Sequence, residues 1–461
     1  MEPRTEKFIE LSTQALSNPG LRASIAKANQ SYKHSRARAI AALADWEALR
    51  ERGARIKDEA LARLPEYLDQ IERRITARGG TVHRARTAAE AREIVVAIAR
   101  RIGARTAVKS KSMVTEEIGL NEALERAGVR AVETDLGEYI VQLAGESPSH
   151  IITPAIHKTR RDIARLLHEK LGTPKDAGIP EMTQAARAAL REKFLAADLG
   201  ISGVNFAVGE TGTLVIVENE GNARLSTTLP RVHVALMGIE KVVPRLSDLA
   251  VLLRLLTRSA TGQAITTYVN FIGGPRRPGE RAEPDGPEEL HLVILDGGRW
   301  EMWADPRRRE ALRCIRCGAC LNFCPVYERI GGHAYGWVYP GPIGAVITPS
   351  LLGIEEARDL PHASSLCGRC GEVCPVKIRL PELLLVNRAR DVEEGRPGPP
   401  WRERLAMKLF AAVARSPMAY RLSGGLLRMV LRSSIIPRPK LWQFPKPEAE
   451  TFRTAWRRLK G

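Results

Sequence analysis

The chain has 461 residues, with 71 Lys and Arg against 53 Asp and Glu and a net charge of +18. Its hydrophobic share of 44% is enough for real cores, which excludes a disordered or collagen-like chain. No apolar run approaches the roughly 20 residues of a membrane span, and the opening "MEPRTEKFIELSTQ" lacks the apolar centre of a signal peptide. The sequence therefore predicts a cytoplasmic protein. The charge is unevenly placed: Trp401 to Gly461 carries 14 Lys and Arg against 3 Asp and Glu. Such a tail suits nucleic acid, anionic lipid or an acidic protein.

In chain order, residues 1–78 read as helical, with apolar residues at helical spacing and a stop at Gly79-Gly80. Residues 79–300 alternate short β-rich runs with helical ones, which predicts an α/β domain with a mostly parallel sheet. Helices are expected at 87–102 and 158–170, and "TEEIGLNEALERAG" reads as one helix capped by Thr115. "VNFAVGETGTLVIVENEG" reads as a hairpin around a Gly-Glu-Thr-Gly turn, followed by strands in "RVHVALMGIEKVV", "ITTYVNFIGGP" and "ELHLVILDGG" and a helix at 246–257. The Pro/Gly-rich loop 273–289 is expected to be exposed. Residues 301–392 form a small helical cysteine domain, and a linker at 393–400 leads to the basic helical tail, 393–461.

All seven cysteines fall in two runs, "RCIRCGACLNFCPVYE" and "SSLCGRCGEVCPVKI". None is spare for a disulfide, which suits metal binding in a reducing compartment. Cys314, Cys317, Cys320 and Cys324, with Pro325 following, have the spacing of a bacterial two-cluster ferredoxin. Zinc prefers separated Cys-x2-Cys pairs or added histidines, so iron–sulfur is the reading taken. By the crossing rule of such proteins, Cys314, Cys317, Cys320 and Cys374 hold cluster one, and Cys324, Cys367 and Cys370 hold cluster two. The eighth position is Ser364. Four alternatives stand: Ser364 ligates as an alkoxide, water or a partner's ligand fills the corner, iron is lost to give [3Fe–4S], or Ser364 is a loop residue and Ser365 or a backbone group caps the site. The stretch 325–363, rich in Gly, Pro and aromatics, is expected to insulate cluster one and offer a docking surface. His333 and His362 read as loop histidines ahead of ligands or proton carriers.

With these residues in place, the chain resembles a family of iron–sulfur proteins of the bacterial L-lactate utilisation system, which join a lactate-utilisation domain to a ferredoxin-type 4Fe-4S domain. The resemblance rests on "VKSKSMVTEEIGLNEAL" (108–124), "ETDLGEYIVQLAGESPSHIITPAIHK" (133–158), residues 200–244, "RSATGQAITTYVNFIGGPR" (258–276) and both cysteine runs. It implies a fold similar to the sugar-phosphate isomerase and CoA-transferase superfamily, and makes the missing eighth cysteine a feature of the family. It also implies two partners: a cysteine-rich subunit related to heterodisulfide reductase, and a smaller protein with the same α/β domain. Together they would oxidise L-lactate to pyruvate.

Candidate ligand residues of the α/β domain are Lys109 and Lys111, with Ser110 and Ser112, at the C-terminal end of a strand, where open α/β sheets bind ligands. Arg224 is a candidate carboxylate clamp. Glu210, in "GETGT", is a candidate nucleophile on the analogy of related folds, although a hairpin turn explains it equally well. His157 and His233 are candidate bases. No dinucleotide fingerprint or P-loop is present in the required context. Three functions compete: an electron-transfer subunit, a substrate-binding catalytic subunit using an open cluster corner, and, a distant third for want of any reader motif, a nucleic-acid-binding protein. The tail's basic amphipathic helices would grip an acidic subunit or, secondarily, an anionic membrane.

Overall fold

The computed structural model describes residues 2–277, 286–394, 401–432, 448 and 450–460. The expected loop at 273–289 is thus described only at its ends. The linker expected at 393–400 is described only at 393–394. The chain divides into two compact units, up to Asp391 and from Val392 onward.

Helices Phe8–Leu16, Pro19–Ala41, Trp46–Ala62 and Leu64–Thr76 fill the N-terminal region. The Asn18 side chain caps the second, and Pro19 occupies a first-turn position where no N–H is needed. Gly79 then turns the chain at φ 88°. Ten strands follow among the described residues: β1 (Thr81–Ala85), β2 (Thr106–Lys109), β3 (Arg130–Glu133), β4 (Leu199–Gly203), β5 (Phe206–Val208), β6 (Leu214–Glu218), β7 (Val232–Gly238), β8 (Val242–Val243), β9 (Tyr268–Ile272) and β10 (Glu289–Leu295).

One sheet has the order β1-β10-β7-β4-β2-β3, with every neighbouring pair parallel. Parallel sheets bury both faces, and the side chains alternate accordingly. Val234, Leu236, Val293 and Leu295 pack with Ala91, Val95 and Ile98 of helix Ala88–Arg101. Their neighbours Ala235, Met237, Leu292 and Ile294 face a larger core. A second sheet, β8-β5-β6-β9, contains the expected hairpin of β5 and β6. Phe206, Val208, Leu214 and Val215 of this sheet share the larger core with Leu61, Leu64, Tyr67 and Ile71 of the N-terminal helices.

Two expectations are corrected. The helix expected to start at Thr115 is capped by Ser112, whose Oγ accepts from the Thr115 N–H at 3.3 Å, while Thr115 spends its own hydroxyl on the Ser112 carbonyl. That helix, Met113–Glu117, stops, and a second one, Leu120–Arg126, restarts after Gly119 at φ 62°. The aromatics of 325–363 offer no docking face. Tyr327, Tyr335, Trp337 and Tyr339 are buried, as is helix Gly341–Leu351 through Ser350. This stretch is core because its small and apolar residues leave no polar face to solvate.

The cysteine segment and the sheet meet at one buried ion network. Arg299 pairs with Glu117 at 2.6 Å and with Glu240 at 2.8 Å. Arg316 reaches the other Glu240 oxygen at 3.1 Å, and the Tyr339 hydroxyl donates to Glu117 at 2.7 Å. Burial alone would raise the Glu240 pKa, but Arg299, then Arg316, hold it well below the usual carboxylate range. Gly238 is required here, because a Cβ would lie 2.1 Å from Glu240 Oε2 and 2.5 Å from Arg299 Nε. Lys57, on helix Trp46–Ala62, donates to the carbonyls of Glu240 and Val242 at 2.6 and 3.0 Å, which brings the N-terminal helices to the same point.

The tail forms helices Trp401–Ala414, Pro417–Arg432 and Phe452–Lys460, and exposes Trp401, Phe410, Leu426 and Trp456 among others.

Removing one partner of a buried pair strands the other charge. Arg299→Leu leaves Glu117 with only the Tyr339 hydroxyl and Glu240 with only Arg316 as its ion-pair partner, and is expected to cost about 3–5 kcal/mol. Urea unfolding of the anaerobic, iron-loaded protein measures this, and a loss under about 1 kcal/mol would remove the network from its structural role.

Candidate metal centre

The two cysteine runs fold into two copies of one loop. In the first, Arg316 takes φ 60° and Gly318 φ 73°, and helix Ala319–Asn322 follows. In the second, Leu366 takes φ 54° and Gly368 φ 84°, and helix Arg369–Val373 follows. Left-handed non-glycine residues are uncommon, so the shared pattern marks a common constraint. It extends to Ser364. The Arg316 N–H points at Cys314 Sγ at 3.4 Å, and the Leu366 N–H donates to Ser364 Oγ at 3.1 Å. The serine hydroxyl therefore occupies, within its own loop, the place of the Cys314 sulfur.

The thiols gather in two groups that exchange members. Cys314, Cys317, Cys320 and Cys374 line one enclosed cavity with Ile151, Ile315, Ile343, Val376, Ile378 and Leu380. Cys324, Cys367 and Cys370 lie close together: Cys367 raises the pKa of Cys324 and of Cys370, and Cys324 raises that of Cys370. The groups adjoin, since Cys370 and Cys374 both act on Cys320. Burial, then the neighbouring thiols, pushes Cys370 up to about 12. Burial likewise pushes Cys374 up to about 11, and the Ile378 N–H, 3.3 Å from its Sγ, offsets part of that. Cys367 is the exposed member of the set. No three His, Cys, Asp or Glu side chains among the described residues converge on a single ion. The donor set fits an iron–sulfur cluster: soft sulfur ligands around an apolar void, with N–H groups aimed at sulfur. As bare thiols Cys317, Cys320, Cys324, Cys370 and Cys374 would stay protonated, and bound iron supplies the charge that lets them ionise.

Beside this centre lies a cavity of about 340 Å3. It sits beyond the carboxyl ends of β2, β4 and β7, where Lys111, Val204 and Lys241 follow the strands. Ile151 lines both this cavity and the thiol cavity, and Arg316, between two cysteines, lines it as well. Lys241 is 8% exposed and makes no ion pair or hydrogen bond among the described residues. Burial, partly offset by Glu240, lowers its pKa to about 8. Desolvating an unpaired ammonium costs several kcal/mol. An outer cavity of about 580 Å3 shares Asp135, Ile152, Thr153 and Glu220 with the inner one.

The α/β candidates from the sequence do not converge. Lys109 is fully enclosed and spent on Glu116 at 2.8 Å and Glu133 at 2.7 Å, so it offers no charge to a ligand. Lys111 does line the inner cavity, yet its Nζ donates to the Ile152 carbonyl and faces Asp135 at 3.6 Å. Ser110 and Ser112 line it too. Arg224 is exposed on helix Asn222–Thr228 and is not part of the lining. Glu210 is exposed in its turn and accepts from the Leu246 N–H at 3.0 Å, a capping contact and not a nucleophile's setting. His233 is buried against Ser202 Oγ at 2.8 Å, and burial, then His291, lowers its pKa to about 3. His157 pairs with Glu146 at 2.6 Å and packs edge-on against His333, outside the cavity lining. His333 bonds the Ser147 carbonyl at 2.8 Å, and His362 is exposed. Sequence reasoning passed over Lys241 and Arg316. The strand-end rule that selected Lys111 applies equally to Lys241 in "RVHVALMGIEKVV".

Comparison with known proteins agrees with this arrangement. Residues 68–295 match the LUD domain, 310–378 the 4Fe-4S dicluster domain, and 387–460 the C-terminal domain of lactate utilisation protein B. An uncharacterized electron transport protein of Escherichia coli, YkgF, is 48% identical over 404 residues, covering 88% of this chain and 84% of that protein. Lactate utilization protein B of Bacillus licheniformis is 45% identical, covering 92% and 88%. That of Anoxybacillus flavithermus is 44% identical, covering 100% and 99%. A solved duf162 family protein from Deinococcus radiodurans aligns at 15% identity with a TM-score of 0.28, covering 50% of this chain and 98% of that one, a likeness too slight to argue from. Two groups of thiols under an α/β domain, and relatives matched over nearly their whole length, lead to one conclusion: the chain belongs to the lactate utilization protein B family of iron–sulfur proteins.

Proposed function

We propose that the chain is the iron–sulfur electron-carrying subunit of an assembly that oxidises L-lactate to pyruvate. The observation that carries this reading is the exchange of members between the two runs: Cys374 lies with Cys314, Cys317 and Cys320, and Cys324 with Cys367 and Cys370. Iron–sulfur clusters supply one-electron transfer, and two adjoining ones can divide a two-electron oxidation into single steps. Cys314, Cys317, Cys320 and Cys374 would hold a [4Fe–4S] cluster. Cys324, Cys367 and Cys370 would hold a [4Fe–4S] or [3Fe–4S] cluster with Ser364 at its fourth corner. Ile343, Val376 and Leu380 keep water from the first group. Exposure of Cys367 leaves the second group open to a partner.

The partners in this reading are a cysteine-rich, heterodisulfide-reductase-like subunit and a smaller protein sharing the α/β domain, whose fold is similar to the sugar-phosphate isomerase and CoA-transferase superfamily. The tail supports an acidic partner, since exposed Trp401, Phe410 and Leu426 stand among its basic residues. No helix among the described residues is long and apolar enough to cross a membrane.

A second reading, with substrate on the open corner near Ser364, draws on the same exposed Cys367. In that case L-lactate alters the EPR signal of the second cluster, and Ser364→Cys abolishes the change.

Anaerobic iron and sulfide analysis with EPR, before and after dithionite, tests the main reading on wild type and Ser364→Cys. We expect about seven or eight irons per chain. A [3Fe–4S] signal in the oxidised wild type that vanishes in Ser364→Cys assigns the open corner to Ser364. Four irons or fewer in both proteins would sink the two-cluster reading.

For the tail, we expect salt-sensitive retention of the partner subunits and no sedimentation of the full chain with anionic liposomes. Salt-sensitive liposome binding would transfer the tail to the membrane surface.

A further inference from the structure

We propose that the inner cavity binds a small hydroxy- or oxocarboxylate, with its carboxylate on Lys241 and Arg316 against the wall of the first thiol group. The carboxylate class rests on the cavity alone. The choice of probes below rests on the reading under Proposed function.

Charge comes first. Each carboxylate that lines the cavity is already engaged. Glu218 accepts from the N–H groups of Ala223 and Arg224 at 2.7 and 2.9 Å, Glu220 from that of Leu136 at 3.0 Å, and Asp135 from that of Glu138 at 3.2 Å. Asp135 also faces Lys111 at 3.6 Å. Lys241 makes no ion pair or hydrogen bond among the described residues, and Glu240 offsets its burial only in part. The Arg316 side chain is 10% exposed, and only its Nη2 is paired, with Glu240. Its Nη1 is buried without a hydrogen-bond partner. Buried donors without partners are rare in folded proteins. A ligand carboxylate would satisfy both cations at once.

The rest of the lining defines the body of the ligand. Ser110 Oγ is a further buried polar atom without a partner. Asn205, Asn222 and Thr257 add neutral donors and acceptors, which suit a hydroxyl or keto oxygen beside the carboxylate. A volume of about 340 Å3 lies at the small end of ligand sites. The outer cavity adjoins this one at Asp135, Ile152, Thr153 and Glu220, and Lys27 and Arg160 add positive charge to its lining.

The site also touches the metal centre. The Arg316 N–H points at Cys314 Sγ at 3.4 Å while its guanidinium faces the cavity. Ile151 forms wall for both cavities. An anion on Arg316 therefore alters the electrostatic surroundings of the first thiol group, and not those of Ser364.

Calorimetry of the anaerobic, iron-loaded full chain with L-lactate, pyruvate and inorganic phosphate tests the proposal, with EPR of the reduced protein alongside. We expect L-lactate or pyruvate to bind ahead of phosphate and to change the signal of the first cluster. Lys241→Met should weaken binding about tenfold or more at unchanged iron content. Lys241→Arg, which keeps the charge, should retain most of it. No heat with either acid in fully loaded wild type would overturn the proposal, as would equal affinity in wild type and Lys241→Met. Iron analysis separates the two readings. A chain without clusters fails the electron-carrier reading, while the calorimetry still decides the cavity.

Discussion

The ion network around Arg299 sets the geometry on which the rest depends. Its members come from four places: Glu117 after β2, Glu240 after β7, Arg299 after β10, and Arg316 with Tyr339 from the cysteine segment. Buried pairs gain little net stability over apolar packing, because desolvation consumes most of the attraction. Their effect is to make one arrangement far better than its neighbours, since any shift strands a charge. Arg316 feels this most directly. Its guanidinium is fixed by Glu240 and lies 4.8 Å from the Tyr339 ring centroid, while its backbone holds the left-handed turn that aims an N–H at Cys314 Sγ. The α/β edge and the thiol loop are thus positioned by the same side chain.

Much of the architecture was legible because it follows from period and spacing. Alternating strand and helix signals gave the parallel sheet, and the cysteine spacing gave the iron–sulfur reading that the 4Fe-4S dicluster match supports. The anion-binding lysine was not legible, for a physical reason. Lys109, Lys111 and Lys241 all sit at strand ends, and the sequence shows their charge but not its compensation. Glu116 and Glu133 pair with Lys109 from a helix and a neighbouring strand, whereas Lys241 makes no ion pair among the described residues. His233 misled in the opposite way. Its place on a strand was read correctly, but a central strand of a parallel sheet buries both faces, and burial keeps that ring neutral. Glu210 was recognised as a turn residue, and the turn is what its carboxylate serves.

Ser364 shows what local conformation adds to spacing. The sequence places it three residues before Cys367, and four alternatives remained open. The second loop repeats the first at Leu366 and Gly368, and Ser364 Oγ accepts the N–H that corresponds to the one aimed at Cys314 Sγ. The position repeats the local setting of Cys314 and carries oxygen where that loop has sulfur, and a hydroxyl parts with its proton far less readily than a thiol. A cysteine placed there needs no change of backbone.

The order of these parts in space gives the electron-carrier reading its direction. The outer cavity adjoins the inner one at Asp135, Ile152, Thr153 and Glu220. The inner cavity ends on Arg316 and Ile151, and Ile151 also walls the first thiol group. That group adjoins the second where Cys320 feels Cys370, and the second reaches solvent at Cys367. A charge entering at one end therefore meets a dry, sulfur-lined interior before it reaches the surface. Each boundary along the way is made by a residue that serves two neighbours. A substitution at Ile151 or Arg316 would disturb two compartments together.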